Sequence, residues 1–169
     1  MDEMRLNKDN INLDIDISQE NRKAVAKLLT QLLADEYTLG LKTKKYHWNL
    51  WGLHFYTLHR FFDKHYDKIQ EYVDLIAERI RALGFSSIGT LREFLDNTSI
   101  EENPGIIPND IEMIKHLWQD HEAIIKRIRF LISQSSKLRD EGTANMLADL
   151  IVKHESMAWM LRSFLEQKS

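Results

Sequence analysis

Five side chains in the first half of the chain have the types and spacing of metal ligands: His47, His59, Asp63, Asp74 and Glu78. Two imidazoles with three carboxylates, and no sulfur, suit Fe(II), Mn(II) or Zn(II). Carboxylates also stabilise the extra charge when iron passes to Fe(III). Singly, each residue has an ordinary explanation, as a capping histidine or as part of a solvated helix face. As a set they have a geometry. On one helix His59 and Asp63 stand one above the other, as do Asp74 and Glu78. His59 and Glu78 lie roughly 28 Å apart along that helix, so one ion cannot be held by both in one chain. Two copies of the helix, antiparallel about a two-fold axis, remove the difficulty. The pairs 59 with 78 and 63 with 74 share a midpoint at about residue 68.5, so one axis makes two equivalent sites roughly 22 Å apart. His47 completes each site, because a hairpin beside Gly52 sets it next to His59. The nearby aromatics Tyr46, Trp48, Trp51, Phe55 and Tyr56 are most economically read as core packing.

The elements that must carry these residues are helices. Both prolines, Pro104 and Pro108, fall in one short stretch, and the glycines are sparse, which leaves segments of about 30 residues. From Phe55 to Leu83 apolar residues recur at steps of three and four: Leu58, Phe62, Tyr66, Ile69, Val73, Ile76 and Ile80. The four ligand candidates on this helix flank that stripe. An earlier helix is expected from about Ser18, its N-cap, to Asn49. Two more are expected over about Asp110–Ser135 and Thr143–Gln167, with a short extra helix at Thr90–Leu95. The fold class is therefore all-α: a four-helix bundle with a short helix in the connection between helices two and three, residues 18–169, behind a tail over 1–17.

Composition narrows the function classes. The 169 residues suffice for one domain with a real core, 43% are hydrophobic, and there is no cysteine for disulfides, thiolate metal sites or nucleophiles. With 23 basic and 26 acidic side chains the formal charge is −3, unlike a general polyanion binder. No apolar run approaches a membrane span and the polar start is no signal peptide, so a soluble cytoplasmic protein is expected. Several signatures fail. Gly84 to Thr90 has the glycine spacing of a phosphate loop without its lysine. His121-Glu122 and His154-Glu155 lack the second histidine of a metalloprotease helix. Glu-x-x-His is absent, and with it the usual intrachain di-iron motif.

The block Lys45-Tyr46-His47-Trp48-Asn49-Leu50-Trp51-Gly52, followed by Phe55, Leu58-His59, Phe62-Asp63 and Asp74-Leu-Ile-Ala-Glu78-Arg79 through Gly84, closely resembles the Dps family, the bacterial miniferritins. The likeness continues through Gly89-Thr90-Leu91, Asp120-His121-Glu122 and Trp159-Met160-Leu161-Arg162. The resemblance implies a hollow dodecamer of ferritin-like bundles. Its ferroxidase sites would combine His47, His59 and Asp63 of one subunit with Asp74 and Glu78 of the two-fold partner. It implies Fe(II) as substrate, hydrogen peroxide (or dioxygen) as oxidant, and ferric mineral stored inside the shell; on the chemistry of the donor set, zinc is a competing ion that could block or regulate the site. Trp48 matches a tryptophan beside the site in that family, suited to donating electrons, though core packing explains it equally well. Asp140, Glu141 and Asp149 fall where the family has a negative pore for iron, although Asn145 replaces an aspartate of the pore motif. Family members that bind DNA use lysine-rich tails, whereas Met1–Ile17 sets Arg5 and Lys8 against five acidic residues and the C-terminus offers only Lys168. DNA binding is therefore not expected. The competing class is a DNA-compacting or structural shell whose metal sites only brace the dimer.

Overall fold

The computed structural model describes residues 13–166, so most of the acidic tail and Lys168 lie outside it. Within those residues the elements are α1 (Gln19–Asn49), α2 (Phe55–Ala82), α3 (Leu91–Asn97), α4 (Asp110–Lys137) and α5 (Glu141–Ser163), with no strand. None of these helices is long and apolar enough to cross a membrane.

Local chemistry fixes the ends. Ser18 caps α1 by accepting from the Asn21 N–H. Thr90 with Glu93 and Asn109 with Glu112 form complete capping boxes at α3 and α4, each oxygen satisfying a backbone donor that the helix start leaves over. The end of α2 is a Schellman turn: Gly84 N–H donates to Arg81 O at 2.9 Å and Phe85 N–H to Ile80 O at 3.3 Å, with Gly84 at φ +91°. Phe85 is fully buried beyond it. The fourth long helix stops earlier than its apolar pattern suggests, at Ser163. The Phe164 N–H caps it on Leu161 O and Arg162 O.

Short turns make α1 with α2, and α4 with α5, antiparallel pairs. Asn21 Nδ2 reaches Leu138 O at 3.0 Å, so α1 begins where α4 ends; Arg79 meets Asp140, so α2 ends where α5 begins. α2 and α4 must then run in the same direction, and the connection between them has to travel the length of the bundle. α3 lies in that connection and packs on α1, where Tyr37 and Phe94 stack at 4.0 Å. Buried Asp35 pins the connection, accepting from Ser99 N–H at 2.6 Å and pairing with Arg127 at 2.6 Å. The core runs along the axis from Val25, Leu29 and Leu33 through Phe62, Ile69 and Ile76 to Ile124, Ile128, Leu147 and Leu161.

Candidate metal centre

The turn at Gly52, whose φ of +109° suits glycine, folds the end of α1 back on the start of α2. His47 in the last turn of α1 and His59 in α2 become neighbours, their rings stacked with centroids 3.7 Å apart. The two are cross-linked through backbone: His47 Nδ1 lies 2.8 Å from His59 O, and His59 Nδ1 lies 3.0 Å from His47 O. A carbonyl only accepts, so each Nδ1 must carry the proton and donate it. In the neutral ring Nε2 is then left with its lone pair, the form that binds metal. The His47 carbonyl is also one of the last four of α1, which have no partner inside the helix. One bond thus caps the helix and orients the ligand.

Asp63, one turn along α2, places Oδ1 3.6 Å from His47 Nε2. Lys44, one turn before His47 on α1, holds the same oxygen at 2.8 Å. The Lys44 hydrogen bond, helped by the Lys44 charge, keeps the Asp63 carboxyl below its ordinary range against the opposing effect of burial. Asp63 is therefore an anion at neutral pH. Sequence reasoning missed Lys44. Its position three residues before His47, on the same helix face, was the available signal.

The structure does not bring Asp74 and Glu78 to these histidines. α2 is one continuous helix, and both carboxylates stand exposed farther along it. Among the described residues no three His, Asp or Glu side chains are placed so that they could hold an ion. What one chain presents is an open set of two imidazoles and a carboxylate. The aromatics around it are not core, contrary to the sequence expectation: only Tyr46 is buried, while Trp48 is 65%, Trp51 64% and Tyr56 69% exposed. Leu53 is 94% exposed, and Phe55, 44% exposed, stacks on His59 at 5.0 Å. An apolar patch of this kind marks an interaction surface.

The three pore candidates separate. Asp140 is 1% exposed and serves as the N-cap of α5, accepting from Thr143 N–H at 2.9 Å and pairing with Arg79 at 2.6 Å. With its charge already matched it cannot act as a free funnel carboxylate, a correction to the sequence reading. Glu141 and Asp149 remain exposed.

Comparison with known proteins agrees with this frame. Residues 26–169 match the ferritin-like domain family. The chain is 43% identical over 155 residues to a low-temperature-induced protein of Nostoc sp., covering 91% of this chain and 87% of that one. It is 32% identical over 146 residues to DNA protection during starvation protein 2 of Bacillus anthracis, covering 86% and 99%. The crystal structure of a Dps protein from Vibrio cholerae, described as a member of a broad superfamily of ferritin-like diiron-carboxylate proteins, superposes with a TM-score of 0.87 at 25% identity, covering 94% and 100%. A five-helix ferritin-like fold, these relatives and the paired histidines at the α1–α2 turn lead to one conclusion: the chain belongs to the Dps family.

Proposed function

We propose that this protein is a ferroxidase and iron-storage subunit that takes Fe(II) as substrate at sites shared between two chains. The observation that carries the reading is the reciprocal Nδ1–carbonyl pairing of His47 and His59, which holds both Nε2 atoms ready as ligands beside the anionic Asp63. A buried structural pair would not need both lone pairs left free. Asp74 and Glu78, exposed on the outer face of α2, supply the remaining oxygens from the two-fold partner. The exposed patch of Trp48, Trp51, Leu53 and Tyr56 is the surface such a partner covers.

Hydrogen peroxide is the proposed oxidant. Each peroxide takes one electron from each of two Fe(II) and two protons from solution, giving two Fe(III) and two waters. Hydrolysis of Fe(III) to oxyhydroxide releases protons and builds the mineral inside a dodecameric shell. Consuming Fe(II) and peroxide together removes both reactants of hydroxyl-radical formation, which fits relatives named for DNA protection during starvation. Zn(II) competes for the same nitrogen and oxygen donors. The cytoplasm is the proposed compartment.

The test is anaerobic loading with Fe(II), followed by peroxide or by air. Rapid oxidation by peroxide, with two Fe(II) consumed per peroxide, is expected for the native chain and not for His47→Ala/His59→Ala. Equal rates for native protein, variant and protein-free buffer would overturn the proposal.

A further inference from the structure

The centre of the bundle holds a second group of ligand-type side chains, one from each long helix: Glu36 on α1, His65 on α2, His121 on α4 and His154 on α5. Glu36 and His154 are 0% exposed, His121 1% and His65 4%. Histidine and glutamate are seldom buried so completely without a purpose that repays their desolvation. His121 Nδ1 and His154 Nδ1 face each other at 2.9 Å. At that spacing two lone pairs repel unless a proton or a cation lies between them. On its other side His154 Nε2 stands 2.8 Å from Glu36 Oε1, near enough for an ion pair but out of line for a hydrogen bond, so both atoms lack a hydrogen-bond partner. Glu36 Oε2 and both ring nitrogens of His65 are buried and unpartnered as well. The His65 ring meets His121 edge-on, centroids 6.0 Å apart. An unmet buried polar group is costly, so such a concentration of them calls for an occupant.

We propose that this cluster is a second metal site, in which His65, His121 and His154 take a divalent first-row cation such as Zn(II) while Glu36 orients His154 and balances the ion's charge. The arrangement has the parts of a carboxylate–histidine–metal unit, with Glu36 beside the ring nitrogen that does not face the ion. Imidazole donors without sulfur suit Zn(II), Co(II) or Fe(II). Burial holds His121 well below the ordinary histidine range, so its ring is neutral at neutral pH. As the side chains stand, no three of them surround a point that an ion could fill, so the rings must shift to take one. Binding must part the two Nδ1 atoms from 2.9 Å to about 3.3 Å, the edge of a tetrahedron with metal–nitrogen bonds of about 2.05 Å. An ion there replaces the proton that the two rings otherwise share. Glu36, His65, His121 and His154 all lie apart from the exposed half-site, so the proposal stands or falls independently of the ferroxidase reading.

The test uses full-length His47→Ala/His59→Ala protein, stripped with chelator and then given Co(II) or Zn(II). One tightly held Co(II) per chain, with the visible absorption of a tetrahedral ion, is expected. Crystals soaked in Zn(II) should show an anomalous scattering peak among His65, His121 and His154. Adding His121→Leu should abolish both signals; if that triple variant does not fold, the anomalous map of the double variant decides alone. No retained Co(II) in the double variant, or no anomalous peak at the bundle centre under saturating Zn(II), overturns the proposal.

Discussion

Acid should destabilise this protein through its buried histidines, and His65 gives the size of the effect. Its ring is 4% exposed, and desolvation, with the charge of His154, lowers its pKa from 6.5 to about 4. Between those values the unfolded chain binds a proton that the folded chain refuses. Stability is therefore full above pH 6.5 and falls as pH drops toward 4. The slope is about 1.4 kcal/mol per pH unit, which gives roughly 2 kcal/mol lost from this one residue by pH 5. At about 2–4 °C per kcal/mol for a chain of this size, that is roughly 4–8 °C in melting temperature. His121 acts in the same direction. Replacing His65 by Leu removes one titrating group, so the difference between native and His65→Leu protein isolates it. Thermal melts of chelator-treated protein at pH 7 and pH 5 should show that difference shifting in favour of the variant by roughly 4–8 °C on acidification. A difference that does not change with pH would refute the reasoning.

Two further outcomes follow from the structure and the sequence. Asp140→Ala removes both the cap of α5 and the partner of Arg79, and should cost about 2–4 kcal/mol in a denaturant melt; a loss near zero would mean the carboxylate is free after all. Linear duplex DNA at moderate salt should be retained weakly in a gel shift, because the N-terminal tail is acidic; tight, length-dependent retention would contradict that expectation.

Elements whose signals are local could be read from the sequence. Ser18, Thr90 and Asn109 each announce a helix start by satisfying donors three residues away, and the apolar stripe of α2 needs only its own period. The meeting of His47 with His59 was legible because both stand close to one glycine turn. Contacts made across long sequence separations were not. Arg79 finds Asp140 only when α2 ends beside the start of α5, and this converts an apparent pore residue into a cap. Glu36, His65, His121 and His154 look like polar interruptions of four separate apolar stripes until packing brings the helices together. The exposed tryptophans carried the opposite lesson. Their size suggested core, but Trp48 and Trp51 at the α1–α2 end stand exposed.

Mixing two broken versions of the chain tests the shared site most directly. One variant lacks His59 and Asp63; the other lacks Asp74 and Glu78. Alone, each forms dimers in which every site misses part of its ligand set, and each should be inactive in peroxide-driven Fe(II) oxidation. Co-refolded in equal amounts they pair at random, half the dimers are mixed, and each mixed dimer has one intact site of two. About one quarter of native activity should return. No recovery in a preparation verified to contain mixed dimers would contradict the account, because a site built within one chain cannot be restored by a partner.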